Sequence, residues 1–258
     1  MSHAEPSPTP VGDRPPTLCE VFATTAADGA ATGFVLAQLG SRPGPVLWVQ
    51  DRVSRREGGR PSARGLAAAL GHPLDVLYLE VGRAVDVLWA MEEALGCAAL
   101  SIVIGEVWGD PPALGFTATK RLAIRSEARG VAAWLLRRAA APDLSAARER
   151  WRVSSQPALP HPDDPRTPGE ALWLAELFRS RGRRTGIWVA RRDTTTRRSA
   201  PDSPPMRETR SGSRTKDGPD RTGTILRLAA RPGGFGSLGT QTGFAPDLRA
   251  VSDGSAVA

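Results

Sequence analysis

The stretch from residue 18 to residue 39 reads LCEVFATTAADGAATGFVLAQL. Residues 18–22 form a short apolar run, and the apolar residues after Gly33 recur at the spacing of a helix. Between these two segments, residues 26–33 are small and turn-forming. A strand, a glycine-containing loop and a helix in this order are typical of a nucleotide-binding phosphate loop.

The loop lacks one of the groups that a phosphate loop needs. Such a loop wraps its ligand with glycine N–H groups, contacts the phosphates with a lysine, and places a Ser or Thr hydroxyl on magnesium. Gly29, Thr32 and Gly33 are present, but the first lysine of the chain is Lys120. The three residues are either a vestigial phosphate loop or a structural turn before a helix. We expect no catalytic residues, no cofactor, no ATP hydrolysis and at best weak ATP binding.

The positive charge of the chain is carried almost entirely by arginine. The formal net charge is +7, and Lys120 and Lys216 are the only lysines. Arginine suits the recognition of phosphate and carboxylate groups, but many Ala, Arg, Gly and Pro residues together also follow from a GC-rich genome. The charge therefore leaves a nucleic-acid partner open.

The sequence contains no pattern typical of a membrane protein or of a metal site. No window approaches the length of a transmembrane helix, and residues 1–16 lack a basic-then-apolar signal pattern. The three histidines have no metal-ligand spacing. Cys19 and Cys97 lie in or beside apolar runs and are expected to be buried thiols in a reducing compartment. We therefore expect a cytoplasmic protein without a metal.

Short apolar runs alternate with helical patterns over the first half of the chain. The predicted strands are residues 18–22, 46–50, 76–80, 100–104 and 131–136, and the predicted helices are residues 32–39, 62–70, 83–95 and 117–129. Because buried parallel strands are apolar runs separated by helices, this alternation predicts an α/β fold with a mostly parallel sheet flanked by helices. Runs at 151–154, 172–179 and 187–192 predict C-terminal antiparallel strands, and the last two form a hairpin.

The composition divides the chain into three segments. Residues 1–16 are rich in Pro, Ser and Thr and are predicted to be disordered. Residues 17–193 hold the predicted domain, because they contain nearly all the apolar runs. Residues 194–258 are dominated by Arg, Ser, Thr, Pro, Gly and Asp, with residues 225–228 as the one apolar island, and are predicted to form a disordered tail.

Three carboxylates follow predicted strands. Asp51, Glu106 and Asp110 lie where α/β sheets bind their ligands, so they are candidates for a metal ligand or a base. No set of partner residues accompanies them in the sequence. The alternative is that all three are solvated loop carboxylates.

The densest positive stretch surrounds the predicted hairpin. Its arginines are Arg179, Arg181, Arg183, Arg184, Arg191, Arg192, Arg197 and Arg198, and the first six are the candidate contacts. A hairpin tip concentrates these charges against DNA phosphates or an acidic partner surface, and the alternative is a solvated basic face. Trp108 and Trp188 are expected at a partner surface, whereas Trp48 and Trp134 are expected in the core.

Several strings, taken in their order, resemble the ImuA proteins, the RecA-like accessory factors of bacterial damage-induced mutagenesis. The resemblance lies in residues 19–22, 30–34, 44–49, 88–95, 103–107, 119–122, 147–153 and 175–183. It extends over residues 18–192. The order and spacing of the strings make the resemblance more specific than any single string does.

The resemblance implies a RecA-like core and a place in the SOS response. It also implies that the protein acts with the Y-family-like protein ImuB and an error-prone replicative-type polymerase, without a reaction of its own. The prediction is a non-catalytic adaptor of translesion DNA synthesis that recruits ImuB and the mutagenic polymerase to damaged DNA, with RecA and DNA as further candidate partners. Two alternatives are a SulA-like cell-division inhibitor and an atypical RecA-like ATPase that takes its lysine from elsewhere, for example Lys120.

Overall fold

Nine strands of the described chain form one sheet. The computed structural model describes residues 15–39, 44–70, 73–193 and 225–230. The strands are β1 (Leu18–Ala23), β2 (Val46–Asp51), β3 (Val76–Val81), β4 (Ile102–Trp108), β5 (Ala132–Arg138), β6 (Glu149–Gln156), β7 (Leu172–Ser180), β8 (Gly186–Asp193) and β9 (Ile225–Ala230). Their order across the sheet is β3-β2-β4-β5-β1-β6-β7-β8-β9.

The sheet is parallel from β3 to β6 and antiparallel from β6 to β9. The helices of the described residues are α1 (Ala30–Gln38), α2 (Arg52–Gly58), α3 (Ala63–Leu70), α4 (Ala84–Ala94) and α5 (Phe116–Arg129). The predicted fold class is therefore confirmed: a mostly parallel α/β sheet with helices against it and antiparallel C-terminal strands. The hairpin predicted before residue 187 is also present, as the β7–β8 pair.

The central strands contribute side chains to both faces of the sheet. Trp48 and Ile104 pack on one face with residues of α1 and α3. Val49 and Val103 pack on the other face with residues of α4 and α5. Because successive side chains of a strand point to opposite faces, strands that are covered on both sides are apolar throughout. This is the reason that the parallel strands were recognisable as continuous apolar runs.

The strand predicted to end at residue 104 is longer than expected, because β4 continues to Trp108. Gly105 and Glu106 interrupt the apolar run and hide its continuation. A Cβ atom added at Gly105 would lie 2.2 Å from Sδ of Met91 in α4, so glycine permits that helix to pack closely on the sheet. Glu106 lies on the opposite face of β4, on the side of α1.

Two further elements were not predicted from the sequence. Only Ser54 of α2 is buried, so this helix has no apolar periodicity that could reveal it. Strand β9 lies within the segment predicted as a disordered tail, and it pairs with β8. The other residues of that tail, and residues 1–14 of the predicted N-terminal segment, lie outside the described residues. Cys19 is buried as expected, but Cys97 is exposed, which corrects its predicted burial.

The contact between Gly105 and Met91 leads to a test of packing. Gly105→Ala is expected to destabilise the protein by about 1–3 kcal/mol, because the added methyl group overpacks the interface between β4 and α4. Urea unfolding monitored by circular dichroism measures the change.

Gly65→Ala in α3 is the matched control, since the added Cβ would have its nearest neighbour, Cβ of Ser62, at 3.6 Å. The same chemical change at this exposed helical position is expected to stabilise the protein by about 0.5–1 kcal/mol. Equal effects of the two substitutions would contradict the close approach of α4 to β4.

Candidate functional site

The candidate site lies at the carboxyl-terminal edge of three adjacent strands. The loop that follows β1 leads into α1, β4 brings Glu106, and β5 ends at Arg138. Strand β5 lies between β1 and β4, so its last residue is placed between the loop and the carboxylate. This edge is where parallel α/β sheets commonly bind ligands.

The guanidinium of Arg138 fills the space between these elements. Its Nε donates to Oε1 of Glu106 at 2.6 Å, and its Nη2 donates to Oγ1 of Thr32 at 2.7 Å. Its Nη1 donates to the carbonyl oxygens of Ala26 and Asp28 at 3.1 and 3.0 Å. The side chains of Arg138 and Glu106 are only 8% and 2% exposed. Each of the three guanidinium nitrogens therefore donates at least one hydrogen bond, and the group is buried.

The backbone groups that this loop directs at its neighbour are opposite in kind to those of a working phosphate loop. A phosphate loop directs backbone N–H groups at an anion, whereas this loop directs two carbonyl oxygens at a cation. In phosphate-loop enzymes, a Ser or Thr hydroxyl and a strand-end carboxylate hold magnesium. Here the corresponding oxygen atoms, those of Thr32 and Glu106, both accept hydrogen bonds from Arg138.

The second oxygen of Glu106 is also satisfied. Oε2 accepts hydrogen bonds from Nε2 of Gln50 at 2.7 Å and from Nε1 of Trp48 at 3.1 Å. Gln50 in turn accepts a hydrogen bond from the hydroxyl of Tyr78 at 2.8 Å. Burial raises the pKa of Glu106, and the charge of Arg138 and these hydrogen bonds oppose that shift by favouring the carboxylate.

The N-terminus of α1 is occupied by a carboxylate of the loop itself. Oδ1 of Asp28 accepts a hydrogen bond from the N–H of Ala30 at 2.8 Å, and Asp28 also accepts hydrogen bonds from the N–H and the hydroxyl of Ser155. Burial alone would raise the pKa of Asp28, but these hydrogen bonds and the charge of Arg138 hold it below its ordinary value. A helix N-terminus favours an anion, and here Asp28 supplies one in place of a phosphate.

A cavity of about 260 Å³ lies beside Arg138. Its lining includes Thr32, Arg60, Ser62, Glu106 and Arg138. This volume is below the range of about 300–1,000 Å³ that is typical of small-molecule sites. The space left after Arg138 is seated is therefore small for a nucleotide.

In the structure, each of the three predicted loop residues has a role in packing, helix capping or hydrogen bonding. Gly29 is the N-cap of α1 and has ordinary dihedral angles. A Cβ atom at Gly33 would lie 2.8 Å from the ring of Trp173, so this glycine permits the close packing of α1 against β7. Thr32 is the member of the three whose side chain takes part in the buried polar network.

The three candidate carboxylates have different environments. Asp51 is buried and accepts a hydrogen bond from the N–H of Ser54 at 2.6 Å, which caps α2. Asp110 is half exposed and pairs with Arg137 at 2.7 Å. The alternative that all three are solvated loop carboxylates is therefore wrong for Asp51 and Glu106. Within the described residues, no group of three or more His, Cys, Asp or Glu side chains is arranged to hold a metal ion.

The arginine hairpin, the turn between β7 and β8 with its flanking arginines, lies at the opposite edge of the sheet from Arg138. Ser180, at the end of β7, pairs with Glu149 at the start of β6, which pairs with the start of β1. Arg179, Arg181 and Arg184 are exposed. Arg191 and Arg192 lie in β8.

Arg183 differs from the other arginines of this hairpin. Its guanidinium lies 4.8 Å from the centre of the Trp151 ring, and its Nη2 donates to Oε2 of Glu149 at 3.0 Å. Its side chain is only 20% exposed. Arg183 is therefore part of the packing beneath the hairpin, and the exposed charges are those of Arg179, Arg181 and Arg184.

The exposed tryptophan of the described residues was not the one predicted. Trp188 packs on Trp151 with ring centres 6.0 Å apart, and both Trp188 and Trp108 are half-buried. Trp89 on α4 is 66% exposed. Its helical phase could have revealed this, because it lies off the buried face formed by Val87 and Met91.

Comparison with known proteins finds a relative over much of the chain. The sequence is 30% identical over 177 residues to the protein named Protein ImuA from two strains of Caulobacter vibrioides, covering 62% of this chain and 68% of that protein. No family model matches the sequence. None of the helices among the described residues has both the length and the apolar character required to cross a membrane.

The two kinds of hairpin arginine predict different effects on stability. Arg183→Ala is expected to destabilise the protein by about 1–3 kcal/mol, since it removes a charged hydrogen bond and a contact with an aromatic ring. Arg181→Ala is the matched control and is expected to stay within about 0.5 kcal/mol of the wild type, because it changes an exposed site. Thermal and urea unfolding measure the stability of both variants. If the Arg183 variant were as stable as the wild type, the Arg183 side chain would not contribute to the packing beneath the hairpin.

Proposed function

The chain belongs to the ImuA family, and we propose that it acts as a non-catalytic adaptor in damage-induced, error-prone translesion DNA synthesis. In this role it recruits an ImuB-type protein and the mutagenic polymerase to damaged DNA. The observation that carries the non-catalytic part of the proposal is the seating of Arg138 in the loop after β1, since its guanidinium occupies acceptors that a bound nucleotide and its metal ion would need.

The absence of catalysis is supported by three features of the site. The loop has no lysine to contact phosphates. Its carbonyl oxygens and the hydroxyl of Thr32 accept hydrogen bonds from Arg138. Asp28 adds a negative charge at the N-terminus of α1. A triphosphate would have to displace the arginine and approach a carboxylate at the same time.

We expect no ATP hydrolysis and at best weak ATP binding. Losing the lysine contact alone removes a charged interaction worth about 1.5–3 kcal/mol. Isothermal titration calorimetry and a phosphate-release assay measure binding and turnover. Micromolar ATP affinity that is lost in Thr32→Ala would contradict the proposal and support the atypical ATPase.

The surfaces available for recruitment are the arginine hairpin and the exposed face of α4. Arg179, Arg181 and Arg184 place three positive charges at the amino-terminal edge of the parallel strands, near the start of β6. Trp89 exposes a large aromatic side chain on α4. Tryptophan and arginine are the residue types most enriched among the residues that dominate binding at protein interfaces.

Affinity purification of the tagged protein from DNA-damaged cells tests the adaptor role. We expect the ImuB-type protein to co-elute with the wild type. The variant Arg179→Ala/Arg181→Ala/Arg184→Ala is expected to capture less of it, because the positive hairpin is lost while Arg183 still packs on Trp151. Arg52→Ala/Arg56→Ala/Arg64→Ala removes the same charge at exposed sites elsewhere and is the matched control.

The outcomes of this purification separate the candidate functions. Co-elution of FtsZ without the ImuB-type protein would favour the SulA-like alternative. If the hairpin variant captures as much of the ImuB-type protein as the wild type does, the hairpin is not part of that interface. If the hairpin instead contacts DNA, each lost phosphate contact should reduce the slope of log affinity against log salt by about 0.9 on duplex or 0.7 on single strands.

A further inference from the structure

The acceptors around Arg138 match a guanidinium group in number and direction. Five N–H bonds point outward in the plane of a guanidinium, and four of them donate to Glu106, Thr32 and the carbonyl oxygens of Ala26 and Asp28. An ammonium group has three donors and could not satisfy the same four acceptors. The loop after β1 is therefore shaped for a planar cation.

One carboxylate contacts the guanidinium directly, and Asp28 adds a second negative charge nearby. Glu106 is buried beneath Arg138 and carries the formal negative charge that directly contacts the guanidinium. The remaining acceptors are a hydroxyl and two carbonyl oxygens, which are the kind of oxygen ligands that usually hold a metal cation. Two of these acceptors, Thr32 and Glu106, correspond to the hydroxyl and the carboxylate that hold magnesium in phosphate-loop enzymes, and the guanidinium contacts both.

The backbone next to Arg138 is held in an unusual conformation. Ala139 has φ 48°, and it is the one residue other than glycine with positive φ in the described parts of the chain. Such a conformation costs free energy and persists where the surrounding structure determines it. Gly58 contributes to the close fit, because a Cβ atom there would lie 3.3 Å from Oε1 of Glu106 and 3.4 Å from Nε of Arg138.

We propose that the loop after β1, Thr32 and Glu106 form a guanidinium-binding site that Arg138 occupies as a built-in ligand. Together with Asp28 at the N-terminus of α1, this ligand takes the places that magnesium and phosphate hold in a working phosphate loop. The site is consequently complete without nucleotide, and the loop keeps one conformation at all nucleotide concentrations. Removing the side chain leaves a site that a free guanidinium can enter.

Chemical rescue tests this site. Arg138→Ala should lower the melting temperature by roughly 6–20 °C, because it leaves Glu106 buried without its partner. Methylguanidinium at millimolar concentration should raise the melting temperature of this variant and leave that of the wild type unchanged. Sodium chloride at the same ionic strength should not raise the melting temperature of the variant. Rescue should disappear in Arg138→Ala/Glu106→Gln, where the charge that attracts the ligand is absent.

Two further variants keep the test decisive. Arg138→Lys should fold and be less stable than the wild type, and wild-type stability would show that any cation suffices, which would overturn the proposal. Arg148→Ala removes an arginine that pairs with Glu127 at the surface and should show no response to methylguanidinium. The proposal is also overturned if Arg138→Ala melts like the wild type, or if methylguanidinium raises the melting temperatures of Arg138→Ala and Arg148→Ala equally.

Discussion

The buried ion pair between Arg138 and Glu106 is the interaction on which the carboxyl-terminal edge of the sheet depends. It joins the end of β5 to β4 and to the loop after β1. From Glu106 the network continues to Gln50 in β2 and from there to Tyr78 in β3. A buried pair of this kind adds little net stability by comparison with an apolar core, but removing one partner costs about 3–5 kcal/mol. Its effect is therefore to fix the position of the loop relative to four other strands.

A second buried pair shows that the structure uses many of its arginines internally. Nε of Arg150 in β6 donates to Glu20 in β1 at 2.6 Å, and its guanidinium lies 5.3 Å from the ring centres of Phe22 and Phe178. Arg137 contacts the same Phe22 ring, and burial lowers its pKa. The total of 34 lysine and arginine residues consequently overstates the number of positive side chains available at the surface. A basic sequence composition is a weak indication of nucleic-acid binding when several arginines are buried with carboxylates and rings.

The sequence was sufficient to predict β1 to β5 and four of the helices between them in their order along the chain, because strands covered on both faces are apolar throughout and glycines mark the ends of helices. It did not reveal α2. It was insufficient wherever polar residues are buried. Glu106 seemed to follow a strand, because a carboxylate inside an apolar run is tolerated only with partners such as Arg138 and Trp48, which are distant in sequence. The absence of a lysine was visible, but the arginine that occupies the loop lies 106 positions after Thr32. No local pattern connects them.

The positions of the two candidate surfaces bear on how an adaptor built on this sheet can work. The arginine hairpin lies at the end of the sheet where β1 begins, and Arg138 lies at the end where β1 finishes. At least the length of that strand, about 20 Å for six residues, therefore separates them. Trp89 lies on α4, which packs against β2 and β4. Four strand spacings of about 4.8 Å separate β4 from β7, so Trp89 also lies away from the arginine hairpin. Neither surface includes the occupied phosphate loop. In the proposed adaptor role, both surfaces would therefore engage partners independently of nucleotide, because Arg138 holds that loop without one.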